Sequence, residues 1–172
     1  MAAEWYNEQP KNRNFLNPIG FILKLDIFPG VDFFCQQANV PDISMPTIEV
    51  SSPFRSLPIV PGGGVTFGDL SLTFIVDEDL KNYISIHNWI RDNGNADQMK
   101  TTEEYPKYSN GQIHIVTSSL NPHFVVDFEN IFPVSLSGMN FDARISDVEY
   151  ITADVTFKHQ QFFIRDKAFK KL

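Results

Sequence analysis

The pattern of apolar and polar residues changes period within Gly68–Ile90. Leu70, Leu72, Phe74 and Val76 alternate with Ser71, Thr73, Ile75 and Asp77, the two-residue period of a strand with one apolar face. Beyond it, Leu80, Tyr83, Ile84, His87 and Ile90 recur at three- and four-residue steps. That spacing predicts an amphipathic helix of about three turns, with Leu80, Ile84 and Ile90 as its core residues. Asp77, Glu78 and Asp79 stand at the switch, where carboxylates cap free amides and meet the positive end of a helix.

The rest of the chain reads mostly as strands. Phe21, Leu23, Leu25 and Ile27 share one face of an Ile19–Phe28 strand, with Ile22, Lys24, Asp26 and Phe28 on the other. Pro29-Gly30 is a turn signal, so Val31–Gln37 is expected to return as its hairpin partner. Gln112–Ser118 and His123–Phe128 flank the turn Leu120-Asn121-Pro122. Asn130-Ile131-Phe132-Pro133 reads as an apolar corner, and Ile151–Phe157 as the longest strand, continuing toward Phe163. Residues 92–110 form a polar loop.

One stretch fits no ordinary class. Pro41, Pro46, Pro53, Pro58 and Pro61, then Gly62-Gly63-Gly64, exclude central strands and helix interiors. Yet Ile43, Met45, Ile48, Val50, Phe54, Leu57, Ile59 and Val60 make residues 42–64 too apolar for an idle loop. Two readings stay open: a segment laid over its own core, or an arm covered by a neighbouring subunit. The glycines are not a phosphate loop, because no Gly-Lys-Ser/Thr follows them.

Size and composition narrow the class. A chain of 172 residues buries a real core as one domain, and 16 Phe with 20 Gly plus Pro suit a strand-rich fold with many corners. The single Cys35 forms no intrachain disulfide, which points to a reducing compartment. The N-terminus lacks the apolar core of a signal peptide, and no apolar run is long enough to span a membrane. Net charge is −7, a poor basis for tight nucleic-acid binding. Positive charge gathers at the end, in Arg165, Lys167, Lys170 and Lys171.

Candidate chemistry is sparse. His87 reads as a packed helix residue and His159 as an ordinary strand residue. His114 and His123, with Asp127, flank a turn and make only a weak metal constellation. Cys35 beside Phe33 and Phe34 reads as a small hydrophobe before a nucleophile. Glu103-Glu104 and the Asp77–Asp79 run read as solvated or capping charges. No HExxH, paired CxxC or GxSxG is present. The expectation is no enzyme, no cofactor and no metal. Strands with one polar face, a proline-rich apolar arm and unpaired edges suit a subunit of a closed ring.

The two ends carry a family resemblance. Asn17-Pro18, the Ile19–Phe28 strand and Phe33-Phe34-Cys35-Gln36-Gln37-Ala38-Asn39-Val40-Pro41 resemble the opening of the tail tube proteins of contractile-tailed bacteriophages. Asn130–Pro133, Phe141-Asp142, Ser146-Asp147 and the Ile151–Phe157 strand are similar to that family's closing block. The central strand and its helix, ending in Trp89, keep the same place in the order. The resemblance spans residues 15–164, leaving 1–14 as a flexible N-terminal arm and 165–172 as a basic tail.

The resemblance implies a mainly β fold, an antiparallel β-sandwich or split barrel with one flanking helix. Six copies would form a ring whose sheets join into one barrel, and rings would stack into the inner tail tube of a virion. The partners implied are further copies, a surrounding sheath, baseplate and terminator proteins, and double-stranded DNA passing through the lumen. Assembly would occur in the host cytoplasm. On this reading Lys24, Asp26, Ser71, Thr73 and Asp77 are lumen-lining candidates. Ile43, Met45, Ile48, Val50, Phe54, Leu57 and Ile59 are inter-subunit arm candidates. A tube-like baseplate component and the inner tube of a non-phage injection machine are close alternatives. A small β-sandwich binding or adaptor module is a more distant one.

Overall fold

A computed structural model of the protein describes residues 16, 18–28, 34–51, 53–61, 64–94, 105–117, 119, 121–142, 144 and 150–166. Among these residues eleven strands and one helix follow in order. They are β1 (Phe21–Leu25), β2 (Cys35–Ala38), β3 (Ile43–Ser44), β4 (Thr47–Ser51), β5 (Ser56–Pro61) and β6 (Thr66–Phe67). Then come β7 (Leu70–Ile75), helix α1 (Lys81–Asn93), β8 (Ser109–Val116), β9 (Pro122–Leu136), β10 (Thr152–Lys158) and β11 (Gln161–Asp166).

Seven strands form one hydrogen-bonded system that folds over on itself through β9. The first half of β9 lies between β8 and β11, and β8 also pairs with β1. The second half pairs with β10, which continues to β7 and β2. All pairings are antiparallel, giving two sheets, β1-β8-β9-β11 and β9-β10-β7-β2. The bend in β9 falls at Asn130, whose φ of 54° breaks the extended run. Asn130 donates from Nδ2 to Gln160 Oε1 at 2.7 Å, across the break between β10 and β11.

The core fills the space between the sheets. Leu23, Leu25, Ile113, Val126, Phe128 and Ile131 enter from one sheet; Leu70, Leu72, Phe74, Ala153, Val155 and Phe157 enter from the other. This alternation reproduces the period-2 pattern of β7 and β10. Helix α1 ties the sheets together. Trp89 meets Phe157 at 6.1 Å and Phe28 at 5.5 Å between ring centroids, and its indole Nε1 donates to Pro106 O at 2.7 Å.

Several expectations are corrected. β1 and Val31–Gln37 do not form a hairpin: β1 pairs with β8 and β2 with β7, so the two belong to different sheets. The local turn signal lost to long-range pairing that buries Leu23 and Leu25. The Pro29-Gly30 turn itself lies outside the described residues. The apolar corner at Asn130–Pro133 is a bend inside a 15-residue strand. The last strand breaks after Lys158, since β10 and β11 pair with different halves of β9.

The helix is turned from its expected face. Its buried residues are Asn82, Ile86 and Trp89, whereas Ile84 is 46% exposed and His87 is exposed. Ile90 packs on the core as a partly buried residue. Leu80 stands outside the helix as its N-cap, in a left-handed conformation at φ 57°. The Asp77–Asp79 run does not cap. Asn82 does the work from within: its Oδ1 accepts from the Asp77 and Tyr83 amides at 3.1 and 2.8 Å, and its Nδ2 donates to Ile75 O at 2.8 Å. A buried amide satisfied on both ends fixes the β7–α1 corner.

Candidate functional site

Three surfaces stand out: the outward face of each sheet and the arm between β2 and β7. Because both inward faces share one core, the outward faces point away from each other. On the β9-β10-β7-β2 sheet, register places Ser71 opposite Thr156 and Thr73 opposite both Asp154 and Gln37. Thr156 faces Ser135 on its other side. Thr73 Oγ1 donates to Asp154 Oδ1 at 2.7 Å. Asn39 brackets the same face, accepting from the Ser71 amide at 2.6 Å. At its end Lys158 Nζ stands 3.9 Å from Asp69. The surface is short-chained, hydroxyl-rich and mildly acidic.

The β1-β8-β9-β11 face differs. One row runs Ile22, His114, Val125, Arg165, and the next Lys24, Gln112, Asp127, Phe163. Asp127 is only 6% exposed. Its Oδ1 accepts from Gln112 Nε2 at 2.8 Å, and its Oδ2 lies 2.7 Å from Arg165 Nε. The Arg165 N–H does not point along that axis, so the contact is an ion pair without an aligned hydrogen bond. Gln112 Oε1 lies 3.2 Å from His114 Nε2. Desolvation, with Lys24 adding to it, pushes the His114 imidazole below its ordinary pKa, and Asp127 pulls weakly the other way.

The lumen candidates therefore separate. Ser71 and Thr73 come together, joined by Asp154 and Thr156, which the sequence reading did not select. Their alternation with Ala153, Val155 and Phe157 was the signal available. Lys24 lies on the other sheet's face. Asp26 is exposed just past β1, where its amide donates to Asn110 O at 3.2 Å. Asp77 sits half-buried in the turn after β7 and belongs to neither face. His114 pairs with Val125, so it and His123 are not opposite one another. Among the described residues no three His, Cys, Asp or Glu side chains gather as a metal site. Cys35 is half-buried against the core, its Sγ 3.4 Å from Gln37 O. The residue pair Glu103-Glu104 lies outside the described residues.

The arm is a hairpin in two steps. β3 pairs with β6, and beyond them β4 pairs with β5. It is not laid over the core. Ile43, Met45, Ile48 and Val50 are 48–62% exposed, and Phe54 at the tip is 98% exposed. Ile48 and Val50 share one side of β4, and in register Ile48 pairs with Val60 and, beyond a shift at Ile48/Glu49, Val50 with Leu57. The side chains of Leu57 and Ile59 lie outside the described residues. The prolines fit because a two-stranded ladder has only edges.

The phage tail tube profile matches residues 7–165, nearly the whole chain. The chain belongs to the phage tail tube protein family. That family is one of structural tube proteins, not of enzymes. A search of the curated proteins finds no significant match. Solved structures share the tail tube fold at low identity. A chain of the anti-feeding prophage cap, described as the tube terminating cap, has TM-score 0.66 and 18% identity, covering 95% of this chain and 99% of that one. A chain from the sheath–tube complex of the extracellular contractile injection system PVC gives 0.60 and 15%, covering 96% and 99%. Hcp1 from Flavobacterium johnsoniae gives 0.53 and 12%, covering 92% and 98%. This tail tube protein is thus a structural component of a tail tube. No helix among its described residues is long and apolar enough to cross a membrane.

Proposed function

We propose that the protein forms six-membered rings that stack into the inner tube of a contractile tail, and that the β9-β10-β7-β2 sheet lines the lumen. The observation that carries this is the polarity of that sheet. Its strands alternate in direction, and both outer edges, β2 and residues 132–136 of β9, lack a strand partner among the described residues. With an even number of strands, β2 of one copy runs opposite to β9 of the next, so edges join copy to copy in one continuous antiparallel barrel. The β1-β8-β9-β11 sheet obeys the same rule, so face chemistry decides between them. Lys24 and Arg165 would hold a passing polyanion, whereas Ser71, Thr73, Asp154 and Thr156 let it slide. Lys24 and Asp26 then stand outside the lumen.

The domain works as one unit over residues 15–164, with the arm 42–64 reaching the adjacent ring. The exposed apolar side of that arm is what a neighbouring copy would cover. Residues 1–14 and 167–172 lie outside the described residues, and Arg165 of the basic tail is already part of β11. The conduit serves double-stranded DNA in a virion, and sheath, baseplate and terminator proteins are the outer partners. A terminating or baseplate ring is the second reading, supported by the fold shared with a tube-terminating cap.

Negative-stain microscopy of the purified protein tests the proposal. Stacked six-fold rings with an open channel are expected, and compact monomers at high concentration would overturn it. In a Cys35→Ser background, cysteines at Gln37 and Ser135 should cross-link copies into a ladder ending at six. Labelling the protein within an intact particle separates main tube from terminal ring.

A further inference from the structure

Four rings meet at the root of the arm. Phe67 of β6 packs on Phe162 of β11 at 5.4 Å and on His159 at 5.8 Å between centroids. His159 in turn meets the wholly buried Phe128 of β9 at 5.3 Å and Phe162 at 5.6 Å. Both ring nitrogens of His159 are buried without a hydrogen-bond partner among the described residues. In a box otherwise made of phenylalanines, a fourth Phe would fill the place with no orphaned polar atom. A buried polar group left unsatisfied calls for an explanation other than packing.

Phe67 is also what anchors the arm. It pairs with Ile43 at the start of the hairpin. Immediately after it, the Gly68 amide donates to Asp42 O at 2.9 Å. A Cβ on Gly68 would fall 1.8 Å from Asp42 Oδ1, so the two arm strands meet closely at this root. Whatever loosens Phe67 from the box loosens the arm.

We propose that this box is a pH-sensitive latch: neutral His159 holds the root of the arm against the body, and proton uptake by His159 releases it. A protonated ring would place a charge and a second N–H where the described residues offer no acceptor. The charged groups around it do not compensate. Asp69, after β6, favours the imidazolium, but it is drawn toward Lys158 of β10 at 3.9 Å. Glu129 of β9 accepts from Gln161 of β11 through its Oε2, and Asp42 faces Gly68. Burial is the larger influence and holds the His159 pKa below its ordinary value. The latch rests on the reading of the arm as an inter-copy contact for its use, but not for its existence, which is intramolecular.

Hydrogen exchange on the full chain, corrected for intrinsic rates, reads the latch directly at residues 40–45 and 64–69. Protection there should fall as pH drops from 7.5 to 5.0, by up to about tenfold per pH unit below the ordinary histidine pKa. His159→Phe should keep its protection at both pH values. Asp69→Asn, which removes a group favouring the imidazolium in the closed box, should leave the onset of the fall in place and extend it to lower pH, making it larger, and decides the matter if His159→Phe does not fold. Equal wild-type protection at both pH values would sink the latch, as would a His159→Phe protein that loses as much as the wild type. Ring assembly is scored separately. Rings that form equally well while the arm loosens would count against the inter-copy reading and leave the latch standing.

Discussion

In the sandwich body, Leu72, Phe74, Val155 and Phe157 are at most 1% exposed; in the arm, Ile43, Met45, Ile48 and Val50 are 48–62% exposed. Both regions use aliphatic residues on antiparallel ladders. The body closes because two sheets supply facing sides, and each buried side chain there contributes about 1.5–3 kcal/mol. Among the described residues the arm has one ladder and no second layer. An isolated two-stranded ladder is marginal alone. Apolar content therefore does not tell whether a segment is buried in its own fold; the number of layers does.

Substitutions should separate the two regions sharply. Trp89→Ala in the body should cost about 3–5 kcal/mol in urea unfolding, since it empties the space joining helix to both sheets. A loss under 1 kcal/mol would show that the helix is not part of the core. Asn82→Ala should cost about 2 kcal/mol, because the part-buried Asp77 and Tyr83 amides and the Ile75 carbonyl lose their Asn82 partner. Arg165→Ala, which leaves Asp127 with Gln112 alone, should cost about 1–2 kcal/mol by the same measure.

Acid sharpens the comparison further. His114 and His159 are both held below their ordinary pKa by burial, so the unfolded chain binds their protons more readily than the folded one. Stability from these groups is complete above about pH 6.5 and is lost as pH falls toward the depressed values. His114→Gln together with His159→Phe should flatten that slope in thermal melts. The smallest effect on the isolated chain belongs to the arm. Ile48→Ser with Val50→Ser should change unfolding by less than about 0.5 kcal/mol, yet abolish assembly under the microscope. Assembly unchanged by this pair would break the distinction between body and arm.

Much of the body was legible in the sequence. Leu70–Phe74 and Ala153–Phe157 alternate cleanly because each strand has one face in the core and one in solvent. The helix was legible as a helix but not in its orientation. Ile84 and Ile86 are equally apolar, and the residue that settles the rotation is Asn82, a polar side chain whose burial no hydrophobic pattern reveals. The β1–β2 relation failed for a different reason. A local Pro-Gly signal was weighed against a partner, β8, more than eighty residues away in sequence. Ser71 and Thr73 were found by their alternation, whereas Asp154 and Thr156 join them only through strand register. Lys24 looked equivalent because a strand pattern shows that a face is polar, not which way it points.

The bend in β9 gives the molecule a mechanical character. One unbroken strand belongs to both sheets, hinged at Asn130 and braced by Gln160. A load arriving at Ser135 on one side passes to Asp127 on the other along covalent bonds, without first having to shear a hydrogen-bonded ladder. A wall built from such units would resist peeling apart into inner and outer skins.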